Sequence, residues 1–315
     1  MNSCIISKSN AYGLLRDASI LRTYLENSGW GVEIKSKKDR GLLEALLKIQ
    51  RYDLAIALET PYARWIDAAK YQVFIPNQEI MLQKHLRLLG GYQAIWAKTQ
   101  YAYNIFKSLN YSVELLGFTS EDIQIAGHKN WGAPLHVAGN SPNRGTKFLI
   151  DLWSRRPDYP ELTIIYSGAL HLESGSKNIR LINKYMSANE MCLLKNQSGI
   201  HLCPSQAEGW GHNIVEALAC GSVVVTLDAP PMNEHISEDE GFLVPAICVG
   251  PHGLGGSWVP KNNSLENALD AVFSTPTNTL IKKGEMSRLR YEKINDDFHL
   301  KLSRLLANLA RKTAL

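Results

Sequence analysis

Residues 200–234 read IHLCPSQAEGWGHNIVEALACGSVVVTLDAPPMNE, and this stretch decides the fold. The apolar run Ile200-His201-Leu202-Cys203 has the length of a buried strand and ends at Pro204-Ser205. A loop with Glu208, Gly209 and Gly211 follows, and a helix starts near Gly211 with Glu216 on its second turn. Gly221 ends that helix, as glycine does at a C′ position. A second strand over 223–227 runs into Asp228-Ala229-Pro230-Pro231. Strand, glycine loop and helix N-terminus together make an anion site, because free backbone N–H groups and the helix dipole both favour a phosphate there. Glycines let the backbone approach such a ligand closely.

Outward from this stretch the same alternation recurs. Short apolar runs at 4–6, 31–34, 54–58, 72–75, 94–97 and 113–116 predict strands. Helical spacing predicts helices over 13–25, 41–49, 62–69, 80–88 and 101–109. Residues 117–134 are polar and read as an interdomain connection. The pattern then restarts, with strands at 135–138, 162–166, 200–203 and 223–227. Helices are predicted at 145–154, 188–195, 212–220, 265–273 and 291–309. Two successive units of this kind predict an α/β protein with two parallel sheets covered by helices. The loop Pro251-His252-Gly253-Leu254-Gly255-Gly256 reads as a surface excursion or a lid.

With 45% hydrophobic and 20% charged residues over 315 positions, the composition excludes general disorder and a disulfide-dense mini-scaffold. No apolar run approaches the ~20 residues that span a bilayer. The start, MNSCIISK, is too short an apolar stretch for a signal peptide. Five scattered cysteines form no CxxC pair, and no HExxH or Asp-x-Asp occurs, so no metal centre is expected and a reducing cytoplasm is the expected home. The whole net charge of +4 lies in residues 1–135, with Lys35, Lys37, Lys38 and Arg40 clustered, and the remainder is neutral. That asymmetry points to an acidic partner for the first half, or to a solvated surface.

The nine residues EGWGHNIVE hold Glu208 and Glu216 with seven residues between them. This arrangement resembles the E-x7-E signature of the retaining GT-B glycosyltransferases of the family-4-like group 1 class. The similarity extends to Cys203-Pro204-Ser205 before it, to residues 216–224 after it, and to HVAGNSPNRGT at 136–146. It covers residues 134–245 well. The resemblance implies two Rossmann-like domains facing a cleft: an acceptor domain over 1–132 and a nucleotide-sugar donor domain over 133–290. A C-terminal helix over 291–315 would pack back on the first domain.

The same resemblance implies roles. Glu208 would meet hydroxyls of the donor sugar and Glu216 those of the ribose, since a carboxylate accepts two hydrogen bonds from a vicinal diol. Gly209, Trp210, Gly211 and His212 would bring backbone amides to the sugar and pyrophosphate, with Asn213 adding a donor. Arg144 matches a basic position that stabilises the departing phosphate, whereas Asn140 or Ser141 stands where a second basic residue is usual; Lys147 lies nearby. Gly139 and Ser141 would line the donor site, Ser167-Gly168 would wall the base pocket, and Asn233 and Glu234 would touch the sugar or hold their loop. In the first half, Asn10-Ala11-Tyr12-Gly13 partly matches a glycine-rich loop. Glu59 stands where relatives carry a histidine, and Tyr12, Gly13, Asn77 and Glu79 would face the acceptor. For Glu208 and Glu216 the alternative is a pair of solvated helix-end charges; for the polar clusters of the first half it is turn chemistry and capping.

The implied reaction is glycosyl transfer from a nucleotide-diphosphate sugar to an acceptor hydroxyl with retention, without a metal or other cofactor. The acceptor would be a glycan, a lipid, a small molecule or DNA, with the protein cytoplasmic or peripheral at a membrane. A DNA-modifying glycosyltransferase, a nucleotide-sugar epimerase and a non-catalytic nucleotide-sugar binder share the same motifs.

Overall fold

The computed structural model describes residues 1–8, 12–139, 141–166 and 177–313. It divides into two units, Met1–Ser120 with Pro251–Gly256 and Ile294–Leu315, and Glu121–Gly250 with Ser257–Lys293. The division after Ser120 precedes the expected boundary at 132/133, because residues 130–132 already open the first strand of the second unit.

The first unit runs β1 (Asn2–Ser7), α1 (Tyr12–Asn27), β2 (Gly31–Ser36), α2 (Leu42–Leu46), β3 (Tyr52–Glu59), β4 (Ala69–Pro76), α3 (Gln83–Leu86), β5 (Ala94–Ala97), α4 (Gln100–Ser108) and β6 (Val113–Leu115). Its parallel sheet has the order β2-β1-β3-β4-β5-β6. Cys4, Ile5, Ile6, Leu54, Ile56, Val73, Phe74 and Ile75 are at most 1% exposed, the continuous apolar pattern of strands covered on both faces.

Three expected helices of this unit are cut short, two of them for one reason. The Arg40 guanidinium is buried and donates to five carbonyls: Arg64 (2.9 Å), Ile66 (2.6 Å), Asp67 (3.3 Å), Glu44 (3.3 Å) and Ile49 (3.0 Å). Carbonyls satisfied by a guanidinium do not need helical N–H partners. Residues 62–69 therefore form only a 3₁₀ turn at Ala63–Trp65 before β4, and the helix expected over 41–49 contracts to α2. Arg40 is thus no member of a solvated basic cluster. The helix expected over 80–88 is a 3₁₀ turn at Gln78–Ile80 followed by α3.

The second unit is built from β7 (Asn130–Gly139), α5 (Thr146–Arg155), β8 (Leu162–Tyr166), β9 (Ile179–Ile182), α6 (Ala188–Gln197), β10 (Ser198–Cys203), α7 (His212–Ala219), β11 (Val223–Asp228), β12 (Gly241–His252), β13 (Gly255–Pro260), α8 (Ser264–Ser274) and the first part of α9 (Thr277–Thr313), with residues 251–256 and those from Ile294 on counted to the first unit. Its sheet has the order β13-β12-β11-β10-β7-β8-β9. The chain winds one way from β7 to β9 and the other way from β10 to β13, so its direction reverses between β7 and β10. The expected surface excursion is the tip of a β12–β13 hairpin, where the Leu254 N–H donates to the Gln78 carbonyl (2.8 Å) and the Gly256 N–H to the Tyr101 hydroxyl (2.9 Å). The last helix begins at Thr277, well before residue 291, because no proline and only Gly284 interrupt the chain after Pro276.

By sequence, the first unit holds 19 Lys and Arg against 12 Asp and Glu, and the second 15 against 18. On these bounds the second unit is net acidic, whereas residues 136–315 taken together are neutral. Its interior holds three neutral imidazoles. His136 Nδ1 donates to the Leu202 carbonyl (2.8 Å) while Nε2 accepts from the Thr146 hydroxyl (2.9 Å). His201 donates to the Lys195 carbonyl (2.9 Å), and His235 to that of Trp210. Burial pushes their pKa values down to about 4, 3 and 4.

The unfolded chain, with imidazoles near 6.5, binds more protons than the folded one between about pH 4 and 6.5. Unfolding free energy is therefore expected to fall as pH drops through that window, at up to ~4 kcal/mol per pH unit for three such groups. Urea unfolding at pH 7, 6 and 5 measures it; a flat profile would contradict the burial of these rings in neutral form.

Candidate active site

In open parallel sheets ligands bind beyond the carboxyl ends of the strands where the winding reverses. In the second unit that place lies between the loops after β7 and β10, and these loops are fastened together. The Gln206 N–H donates to the Asn143 carbonyl (2.7 Å). Gly145, at φ +75°, caps α5 so close to the second loop that a Cβ would stand 2.1 Å from the Pro204 carbonyl oxygen. Arg144 Nη1 donates to Glu208 Oε1. The remaining N–H groups of the guanidinium donate to nothing among the described residues. The structure therefore brings Arg144 and Glu208 into one ion pair with part of its planar fork open.

The loop around Glu208 is held from below. Gly209 and Trp210 are buried, and the Trp210 ring meets His235 edge-on with centroids 4.4 Å apart. His235 also binds the Trp210 carbonyl. Gly211 stands at φ +101° as the N-cap of α7, a conformation that disfavours any side chain. His212 opens α7, and Asn213 donates to the Val137 carbonyl at 2.7 Å, tying the helix start to the end of β7. Gly139 ends β7 at φ +59°, with no described atom within 4 Å of where a Cβ would stand, and the Ser141 hydroxyl accepts from the Asn143 N–H (3.3 Å). Asn233 reaches Asp228 (2.9 Å), and the Glu234 carbonyl accepts from Arg290 (2.9 Å), in the turn after β11. Lys147 is 87% exposed and lies 4.0 Å from Asp151, one turn further along α5. Asn140 and Ser167-Gly168 lie outside the described residues.

Glu216 is 2% exposed, and Lys195 of α6, equally buried, donates to its Oε2. Sequence reasoning did not single out Lys195, although a lysine in the run MCLLKNQ, among apolar residues, is the kind of position where a buried partner is required.

The first unit reverses its winding between β1 and β3, and Glu59 sits there. Lys8, just after β1, pairs with Glu59 Oε1 at 3.0 Å. Glu59 Oε2 is buried with no hydrogen-bond partner among the described residues. The residue stands at φ +72° while the Thr60 N–H donates to the Leu58 carbonyl (2.9 Å), the rare and strained form of γ-turn. At the next strand end, Asn77 Oδ1 accepts from Lys98 Nζ (2.8 Å), whose ammonium also pairs with buried Asp17. Glu79 follows in a 3₁₀ turn, Tyr12 and Gly13 open α1, and Asn10 and Ala11 lie outside the described residues. Lys8, Asp17 and Lys98 were not legible beforehand, because no spacing joins them in the sequence.

Residues 167–247 match the family described as glycosyl transferases group 1. The fold is GT-B. Sucrose-phosphate synthase from Thermosynechococcus elongatus is similar at TM-score 0.75 and 12% identity, over 99% of this chain and 100% of that one. HepE from Anabaena, in complex with UDP-glucose, is similar at TM-score 0.71 and 16% identity over 98% and 100%. A glycosyltransferase from Rickettsia africae follows at 0.68 and 13% over 98% of both chains. No curated protein matches the chain in sequence. The matched segment contains β10, α7 and the loop between them, and with them Glu208, Gly211 and Glu216.

Lys195→Ala removes the buried cation from beside Glu216 and is expected to cost about 3–5 kcal/mol of stability. Lys195→Met combined with Glu216→Leu should recover most of it, since apolar side chains replace buried pairs well. Chemical unfolding of the three full-length proteins checks this; an Ala variant as stable as the parent would contradict a structural pair.

Proposed function

We propose that this chain transfers a glycosyl group from a nucleoside diphosphate sugar to an acceptor hydroxyl, with retention of the anomeric configuration. The observation that carries the reading is the Arg144–Glu208 pair, set where the second sheet reverses its winding and beside the N-terminus of α7. A guanidinium with free N–H groups binds a phosphate in two-pronged fashion and stabilises charge as the diphosphate departs. The amides of Gly209 to His212 add the N–H groups of a helix start. Glu208 accepts from sugar hydroxyls while its other oxygen holds Arg144 in place. Glu216 accepts from the ribose and shares its charge with Lys195. Gly139, Ser141, Asn213, Asn233 and Glu234 line the same donor site.

In the step itself the acceptor oxygen bonds to the anomeric carbon as the bond to the diphosphate oxygen breaks. The acceptor proton passes to that departing oxygen on the same face. Such a reaction depends on positioning and on stabilising the leaving charge more than on a protein base. The acceptor belongs to the first unit, where Glu59 and Asn77 stand at strand ends, Glu79 in the turn after β4, and Tyr12 and Gly13 at the start of α1. Neutralisation of the diphosphate by Arg144 and the start of α7 makes a metal dispensable. The similarity to HepE, recorded with UDP-glucose, supports a UDP-sugar as the first donor to test.

Arg144→Ala is expected to lower kcat by roughly 10²-fold, as the loss of one charge-stabilising donor does elsewhere. Arg144→Lys should recover only part, lacking the planar fork. NMR of the product should show the donor's anomeric configuration, and excess EDTA should leave the rate unchanged. An unaltered kcat in Arg144→Ala, or conversion of the donor to an epimer without acceptor, would overturn the reading.

A further inference from the structure

The segment GLLEALLKIQ at 41–50 is folded inside out. On α2 and its C-cap, Leu42, Leu43, Leu46 and Leu47 fall on one side of the helix, within roughly 140° of arc at 3.6 residues per turn. Glu44 and Ala45 take the opposite side. In an ordinary surface helix the apolar stripe faces the core. Here the four leucines and Ile49 are 40–71% exposed, whereas Glu44 and Ala45 are half-buried, and α2 buries no residue. The arrangement is fixed: Arg40 holds the carbonyls of Glu44 and Ile49 from beneath, and Arg51 pairs with Glu44. The leucines cannot turn inward without breaking these bonds.

The patch is bordered by lysines. Lys37 and Lys38 precede it, exposed and with no acidic side chain bound among the described residues; Lys48 follows, 3.5 Å from Asp67. Lys35 pairs with Glu33 nearby. The first unit as a whole holds seven more basic than acidic residues. An outward apolar knob with a lysine border matches a surface that is negative outside and apolar beneath. It matches a second copy of the chain poorly. Five side chains cannot cover the about 800 Å² per partner of a standard interface, and self-pairing would bring the unpaired lysines of both copies together.

We propose that the α2 knob, with Leu42, Leu43, Leu46 and Leu47 and the border Lys37 and Lys38, docks the first unit onto an anionic lipid bilayer. The leucines enter the boundary between headgroups and acyl chains, and the lysines stay at the lipid phosphates. Docking does not depend on the glycosyl-transfer reading, because no residue of the proposed donor site takes part.

The test is co-sedimentation of the full chain with vesicles of phosphatidylcholine alone and with phosphatidylglycerol added. Binding to the anionic vesicles is expected, weaker on neutral ones and reduced by salt. Leu43→Asp with Leu46→Asp should lower the partition coefficient at least tenfold, and Lys37→Glu with Lys38→Glu several-fold. All these side chains are exposed, so the melting temperature should stay at the parent value. No binding by the parent protein, or equal binding by the leucine variant, would overturn the proposal. So would a dimer in sedimentation equilibrium that the leucine variant abolishes.

Discussion

The Pro204 carbonyl leaves no room for a side chain at residue 145. A Cβ there would stand 2.1 Å from the oxygen, at a backbone angle that glycine alone adopts readily. This contact brings the loops after β7 and β10 together, and with them Arg144 and Glu208, the two side chains on which the proposed donor chemistry rests. Arg144 is one residue before Gly145, and Glu208 is four after Pro204. The backbone bond from Gln206 to Asn143 closes the same seam. A guanidinium held this way gives up little freedom when it meets a phosphate, which is what preorganised charge requires.

Around that seam the second unit spends its buried polar groups on rigidity. His235 fixes the carbonyl of Trp210, Asn213 fixes the start of α7 to β7, and Lys195 fixes Glu216. Each ties α7 or the loop before it to a neighbouring element. The first unit places its strain at the corresponding point of its own sheet, where Glu59 is held in a tight turn beside Lys8. Strained backbone persists only where the surroundings over-determine it.

Much of this was legible in the sequence. Strand, glycine loop, helix and glycine stop follow from residues 200–221 alone, because each step has a local cause. The central strands of both sheets were legible too, since strands covered on both faces are continuously apolar. What escaped reading was set by single long-range contacts. Arg40 reads as one of four clustered cations, yet its five carbonyl bonds truncate two helices and turn an apolar segment outward. Lys195, Lys8 and Lys98 find their carboxylates only after folding. The outward face of α2 could not be foreseen, because periodicity gives the width of an apolar stripe and not the side on which the protein lies. Likewise residues 251–256 read as a surface excursion or a lid, since Gly253, Gly255 and Gly256 mask the strands of the hairpin to which they belong.

The central claim is that a nucleoside diphosphate sugar binds where the second sheet reverses its winding. Hydrogen exchange of the full chain, with and without each common nucleoside diphosphate in turn, localises the site without assuming an acceptor. One of them is expected to slow exchange at the amides of 208–213 and 143–146 and to leave those around Glu59 unchanged. Protection confined to the first unit, or to the opposite end of the second sheet, would contradict it.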